Sequence, residues 1–174
     1  MTLHLPDIIA KDLSVVFCGI NPGMTAAVSG HHFSSPSNRF WRVLHLAGFT
    51  PIQVLPENDR SLLEFGYGLT TAVARPTRRA DELSADEFVL AGETLRRKIK
   101  RYAPRAVAFL GKAAYSAINR TTLTQWGRQA TPFGGATAWV VPNPSGLNRS
   151  FRTVDLVEAY RELRLAALEQ DTPL

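Results

Sequence analysis

Short runs that are apolar throughout, separated by segments with helical spacing, are the feature that most constrains the fold of this chain. Ser14–Ile20 reads SVVFCGI, and Ala106–Leu110 and Ala138–Val141 are similar runs. A further short strand is predicted around Leu69–Val73. Strands without an alternating polar face are covered on both sides, which is typical of a parallel sheet and not of an antiparallel sandwich. The pattern therefore predicts a single α/β domain.

Helices are predicted between these strands. Ser84 and Glu87 form a capping box, and apolar residues follow at spacings of three and four until Pro104, which predicts a helix that ends there. Pro36 is suited to the first position of a helix that ends at Gly48. Two further helices are predicted over residues 112–118 and 154–168.

Composition limits the class of protein. A chain of 174 residues with 45% hydrophobic residues can bury one core, so we expect one domain over residues 1–174, with its core at about 13–168. The ends, before about Asp12 and after about Gln170, are expected to be loose. Cys18 is the only cysteine, which excludes an internal disulfide and fits a cytoplasmic protein. The uncharged stretch 13–38 contains turn residues, so we expect no membrane span.

The net charge of +5 indicates an anionic partner such as nucleic acid, although many basic proteins bind none. A dense basic cluster around residues 96–105 is interpreted as the solvated face of a helix. Arg75, Arg78 and Arg79 lie in a predicted loop that could contact phosphates.

Two Asn-Pro turns follow the first and the last predicted strands. One contains Asn21 and Pro22, and the other contains Asn143 and Pro144. Either turn alone is an ordinary structural signal. Because the strands are predicted to be parallel, both turns leave the sheet at its carboxyl edge, where open α/β sheets bind ligands. We therefore expect the two turns to face each other.

Four segments together resemble the mismatch-specific uracil-DNA glycosylases, the bacterial relatives of thymine-DNA glycosylase. They are GINPG at 19–23, SSPSNRFW at 34–41, ARPT at 74–77 and PNPSGLNR at 142–149. The resemblance implies a three-layer α/β/α domain with a central, mainly parallel sheet. It also implies a monomer without metal or cofactor that excises uracil, and also ethenocytosine or thymine, opposite guanine in double-stranded DNA.

The resemblance also assigns roles to individual residues. Asn21 would position the attacking water, and Leu147 would fill the gap that the extruded nucleotide leaves. The base pocket would be formed by Ile20, Phe33 and Asn143. Gly146, Asn148 and Arg149 would flank the wedge and contact the guanine left opposite the gap. Gly23 and Ser145 would contact phosphates. The chain departs from the family at Asn148, where relatives carry serine, and at Thr71, where they carry lysine.

The chemistry suits these residue types. A base must leave the duplex before its glycosidic bond can be reached, and an inserted apolar side chain can open the stack. Phe33 lies in a polar loop where an aromatic residue has no obvious core role, which favours stacking on a base; ordinary packing remains the alternative. The carbonyl of Asn21 can orient a water but cannot remove its proton, so we expect slow chemistry.

Two other functions remain possible. A DNA-binding module of the same fold could sense mispairs without cutting them. A nucleotide-binding enzyme of another α/β type would ordinarily carry a glycine-rich phosphate loop, and neither GxGxxG nor GxxxxGK[ST] is present. His31 and His32 are adjacent but have no second cluster of ligands nearby, so we expect no metal site. Trp41 and Trp139 are expected in the core, and the role of Trp126 is left open.

Overall fold

The fold is built on a five-stranded sheet. The computed structural model describes residues 3–169. The strand order is β2-β1-β3-β5-β4. All neighbouring pairs are parallel except the last, in which the two-residue edge strand β4 runs antiparallel to β5. The strands span Val15–Gly19 (β1), Tyr67–Thr71 (β2), Ala106–Leu110 (β3), Gly127–Arg128 (β4) and Thr137–Val141 (β5).

Within residues 3–169, five α-helices connect or cover these strands. They span Met24–Ser29 (α1), Phe40–Leu46 (α2), Ala85–Tyr102 (α3), Lys112–Asn119 (α4) and Thr153–Glu169 (α5), and an irregular 3₁₀ stretch covers Pro56–Phe65. The predicted capping box opens α3: Ser84 Oγ accepts from the Glu87 amide, and the Glu87 carboxylate accepts from the Ser84 amide.

Side chains of the central strands alternate between two hydrophobic cores, which makes the fold three-layered. Phe17 packs on one face with residues of α2 and α5, such as Phe40 and Tyr160. Val16 and Cys18 pack on the other face with residues of α3 and α4. Burial raises the pKa of the Cys18 thiol to about 12, so this cysteine is an inert core residue. The predicted α/β/α architecture is confirmed.

The amino-terminal segment is better ordered than expected. Leu5 and Ile8 are buried, and Ile8 exchanges two backbone hydrogen bonds with Leu69 of β2 (2.9 and 2.7 Å). The Asp7 carboxylate pairs with Lys98 of α3. The prediction that residues before Asp12 are loose was therefore wrong, because this segment extends the edge of the sheet. The corresponding prediction for residues after Gln170 lies outside the described residues.

The second helix also begins later than predicted. Residues 35–38 form a turn, and the Asn38 side-chain oxygen accepts a hydrogen bond from the Phe40 amide at the start of α2. Pro36 therefore lies in a loop. The short helix α1 and the edge strand β4 were not predicted, because six and two residues are too few to show a periodicity. Between residues 3 and 169, no helix is long and apolar enough to cross a membrane.

Candidate active site

A cavity of about 480 Å³ opens at the carboxyl edge of the sheet. The two Asn-Pro turns contribute to its wall from opposite ends of the sequence, as expected from the parallel strands. Of the ten predicted site residues, Asn148 and Arg149 do not line it, and the eight that do are Ile20, Asn21, Gly23, Phe33, Asn143, Ser145, Gly146 and Leu147.

The side chain of Asn21 is fixed by both of its N–H groups. Its Nδ2 donates to the Arg75 carbonyl and to Thr77 Oγ1, each at 2.8 Å. A backbone carbonyl only accepts, which determines which end of the amide is nitrogen. Within residues 3–169, no donor contacts the side-chain oxygen of Asn21. That oxygen is thus an oriented acceptor on the cavity wall.

Thr77 completes a one-way chain of hydrogen bonds. Its hydroxyl accepts from Asn21 and donates to the Arg79 carbonyl at 2.7 Å. Its backbone amide donates to the Pro22 carbonyl, so the 74–77 loop is bound directly to the first Asn-Pro turn. Thr77 is buried and acts as a positioning residue for Asn21. Sequence reasoning noted the ARPT segment but not this role.

If the site excises a base, as the resemblance implies, Thr77→Val should slow base release by about tenfold. The substitution keeps the shape of the side chain but removes one of the two acceptors that hold Asn21, and small displacements of a positioning group can cost up to about 10²-fold. Thr77→Ser, which keeps the hydroxyl, serves as the control and should retain most of the rate. Single-turnover release of uracil from a duplex measures the effect. Equal rates for the two variants would show that Thr77 does not position Asn21.

Phe33 both lines the cavity and packs on the core. Its ring stacks on Phe40 with centroids 4.1 Å apart and planes 26° apart. The expectation that Phe33 lacks a core role was therefore wrong, yet only one face of the ring is used by Phe40. Its backbone has a φ of +53°, a left-handed conformation that costs a non-glycine residue about 1–3 kcal/mol. Tertiary contacts therefore keep the backbone of Phe33 in an unfavourable conformation, which places its ring at the cavity.

Asn143 organises the second Asn-Pro turn. Its side-chain oxygen accepts from the Ser145 amide at 2.9 Å, and its backbone carbonyl accepts from Asn148 Nδ2 at 2.9 Å. In the described part of the chain, the Nδ2 group of Asn143 has no acceptor. The two turns therefore present an open acceptor, on Asn21, and an open donor group, on Asn143, at the cavity wall.

The side chain of Asn148 forms hydrogen bonds within its own loop. Besides the bond to Asn143, its side-chain oxygen accepts from the Ser150 amide at 3.3 Å. Each bond uses one of the two hydrogen-bonding positions on the amide nitrogen or oxygen, so the loop orients the Asn148 side chain without saturating it. Arg149 is exposed at the surface.

Leu147 projects from this loop with 79% of its surface exposed. The preceding residue is glycine because the loop packs closely against Ser37. A Cβ atom on Gly146 would lie 2.7 Å from the Ser37 carbonyl oxygen, well inside contact distance. This close approach explains the glycine before Leu147.

Arg39 anchors the 142–151 loop through hydrogen bonds to its backbone carbonyls. Its guanidinium donates to the carbonyls of Ser145 (3.1 Å), Asn148 (2.9 Å) and Phe151 (2.8 Å), and its backbone amide donates to the Pro144 carbonyl. The planar fork of arginine suits several acceptors at once. The sequence did not reveal this role, because the partners lie more than a hundred residues away.

We expect Arg39→Ala to lower the free energy of unfolding by at least about 1.5 kcal/mol, the lower value for one hydrogen bond to a charged group, and to weaken duplex binding. Arg39→Lys should recover little of the loss, since an ammonium lacks the planar fork. Arg42→Ala, at an exposed position one turn away, is the matched control. Urea unfolding and duplex titration measure the two effects. If Arg39→Ala and Arg42→Ala had the same stability and the same duplex affinity, the loop would not depend on the Arg39 hydrogen bonds.

The remaining polar groups of the region are largely engaged. His32 lines the cavity, and its Nε2 lies 2.7 Å from the Pro6 carbonyl, to which it donates. Burial lowers the pKa of His32, so its ring is neutral at pH 7. The Arg75 guanidinium binds Glu87 and the Arg79 guanidinium binds Asp81, so among the described residues Arg78 is the cation on the cavity wall that has no carboxylate partner. From Leu3 to Glu169, no group of three His, Cys, Asp or Glu side chains is arranged to hold a metal.

The model of the uracil DNA glycosylase superfamily matches residues 6–164. A protein from Methanosarcina acetivorans, provisionally described as a uracil DNA glycosylase and solved by solution NMR, has a similar fold. The TM-score is 0.60 at 20% sequence identity, and the match covers 94% of this chain and 98% of that chain.

Proposed function

The chain belongs to the uracil DNA glycosylase superfamily, and from that premise we propose that it is a monofunctional glycosylase that releases uracil mispaired with guanine from double-stranded DNA. Membership supports excision of uracil from DNA in general. The observation that carries the finer proposal is the open carbonyl of Asn21, oriented on the wall of a cavity that also contains Phe33 and Leu147.

Asn21 would orient the attacking water. The water oxygen bonds to C1′ of the sugar, the bond from C1′ to N1 breaks, and its electron pair leaves with uracil. The uracil anion spreads its charge over two carbonyls and a ring nitrogen, so little acid assistance is needed. The proton of the water passes to solvent, because an amide cannot bind it. Without a general base, the rate should be lower by about 10²–10⁴-fold than with one.

The pocket would read the extruded base through stacking and hydrogen bonds. The face of the Phe33 ring that Phe40 does not cover would stack on the base, a contact that is sequence-tolerant because every base has a π-face. Asn143 Nδ2 would donate to a carbonyl oxygen of the base, and Ile20 would contribute apolar contact. Gly23 and Ser145, at the two turns, would contact the phosphates of the extruded nucleotide.

Leu147 would enter the base stack from the cavity rim. Unstacking a step costs a few kcal/mol, and an inserted apolar side chain offsets part of that cost. Arg149 is exposed on the same loop and would contact the duplex beside Leu147. The roles of Gly146 and Asn148 in this proposal are to shape and hold the loop.

Substrate breadth follows from the size of the cavity. A volume of about 480 Å³ supports acceptance of thymine or ethenocytosine as well as uracil. We further propose that the protein acts as a cytoplasmic monomer, as the family resemblance implies for the monomer and as the single cysteine favours for the cytoplasm. Base release from G:U, A:U, G:T and ethenocytosine duplexes tests the specificity, and the proposal expects G:U to be cleaved faster than A:U.

The second candidate is a mispair-binding module that does not cut DNA. It is supported by the cavity wall, on which, among residues 3–169, no Asp or Glu side chain lies that could act as general base. Incubation with a G:U duplex followed by alkali, which breaks the strand at abasic sites, separates the two functions on one gel. Binding without a break would favour the module.

A further inference from the structure

Trp126 is an exposed aromatic residue at the same sheet edge as the cavity. Its ring lies 4.6 Å from Lys112 Nζ, in a cation–π contact, and 5.3 Å from the Phe151 ring, at an angle of 81°. We call Trp126, Lys112 and Phe151 the Trp126 platform. Trp126 is 43% exposed, whereas Trp41 and Trp139 are buried as expected.

The sheet order places the platform beyond the Leu147 loop as seen from the cavity. Strands β2, β1 and β3 end at the cavity, β5 leads into the Leu147 loop, and β4 follows at the edge. Because β4 is antiparallel to β5, its first residue, Gly127, pairs near the carboxyl end of β5, opposite Val140. Trp126 immediately precedes Gly127. The order along the edge is thus cavity, Leu147 loop, platform.

The platform and the Leu147 loop are joined mechanically. The Phe151 ring packs against Trp126, and the Phe151 backbone carbonyl accepts a hydrogen bond from the Arg39 guanidinium. The same guanidinium holds the carbonyls of Ser145 and Asn148. A movement of the Leu147 loop would therefore shift the support of the Trp126 ring.

The polar groups of the platform are free to bind a ligand. Among the described residues, the indole N–H of Trp126 has no acceptor and Lys112 has no carboxylate partner. Lys112 is positioned by the turn at Gly111, whose φ of +105° is strongly disfavoured for other residues. An aromatic ring with a neighbouring ammonium is complementary to nucleic acid, through stacking and through neutralisation of a phosphate.

We propose that the Trp126 platform is a second DNA-binding site, which contacts the strand complementary to the one that enters the cavity. This inference rests on the proposed function only in that the ligand is duplex DNA. If one strand places a nucleotide in the cavity and Leu147 occupies the gap, the partner strand lies past Leu147, on the side of β4. Trp126 covers a sugar or base edge there, and Lys112 neutralises a phosphate.

Binding of an uncleavable DNA tests the proposal apart from catalysis. The probes are a duplex with a tetrahydrofuran abasic analogue opposite guanine, and the analogue strand alone. We expect Trp126→Ala to weaken duplex binding by about tenfold, as loss of one stacking contact implies. Binding of the single strand should change by less than about twofold, a fraction of the stacking contribution. Leu90→Ala, at a 73% exposed position on α3, is the control.

Two further measurements distinguish direct DNA contact by the platform from a merely structural role of Trp126. Lys112→Gln should lower the slope of log affinity against log salt by about 0.9, the value for one phosphate contact. In the unsubstituted protein, the duplex should protect tryptophan emission from acrylamide, and the single strand should not. The proposal would be overturned if Trp126→Ala lost equal affinity for the duplex and for the single strand. It would also be overturned if acrylamide quenched the tryptophan emission equally with and without the duplex. Duplex binding without base release would contradict the glycosylase function and leave the platform intact.

Discussion

Replacement of Asn21 by alanine should reduce uracil release from a G:U duplex by at least about 10²-fold, in line with the loss of a group that orients a reactant. The side-chain oxygen of Asn21 is the open acceptor from which the mechanism starts, and alanine offers nothing in its place. Duplex binding should be nearly unchanged, because Leu147, Phe33 and the phosphate contacts remain. Single-turnover kinetics and titration with a 2′-fluorinated deoxyuridine duplex, which resists hydrolysis, measure the two quantities.

Asn119→Ala is the matched control for this experiment. The same amide is removed, but Asn119 lies at the end of α4, where it contacts Arg96 and the Tyr115 carbonyl. Its loss should leave the rate of release unchanged. If Asn21→Ala retained the full rate, the water would be oriented by another group, even if the protein is a glycosylase. If both rate and affinity fell together, Asn21 would be needed to build the pocket and not for the chemical step.

The support of Asn21 extends to the start of α3. The carbonyl of Arg75 accepts from Asn21, and the guanidinium of the same residue binds the Glu87 carboxylate at 2.7 Å. The hydrogen bond from Arg75, together with the Ser84 amide, lowers the pKa of Glu87 to about 2. The carboxylate is therefore ionised over the whole physiological range. The capping box of α3 thus also fixes the loop that orients the proposed water-binding residue.

The overall arrangement was predictable because it depends on local patterns. Apolar runs, the Ser84 capping box and the parallel direction of the strands sufficed to bring Asn21 and Asn143 to one sheet edge. The start of α2 was predicted wrongly, because the Pro36 signal is local while the 35–39 segment is held by contact with the 142–146 loop. Tertiary contact outweighed the preference of proline for the first helical position.

The supporting residues could not be predicted for the same physical reason. Thr77 lies 56 residues from Asn21, and Arg39 lies 112 residues from Phe151. Both act through hydrogen bonds to backbone carbonyls or to a single hydroxyl, which leave no pattern in residue type or spacing. The role of Trp126 depends on a two-residue antiparallel strand, too short for any periodicity to reveal.

Leu147→Ala should slow uracil release from a G:U duplex by about tenfold or more, because the lost side chain no longer offsets unstacking that costs a few kcal/mol. Release from single-stranded DNA should change by less than about twofold, since there is no intact stack to open and that cost is absent. Protein stability should change by no more than about 0.5 kcal/mol, as is usual for an exposed side chain. Release from the two DNA forms is measured under single-turnover conditions.

The comparison between duplex and single strand separates a wedge from a pocket residue. A side chain that contacts the base itself would affect both DNA forms alike, whereas a wedge matters only where a neighbouring stack must be held open. Leu90→Ala, which removes a leucine of similar exposure that does not line the cavity, should affect neither. Equal losses on the two forms would place Leu147 in the base pocket, and no loss on either would mean that the extruded nucleotide is stabilised from the cavity side alone, by Phe33 and Asn143.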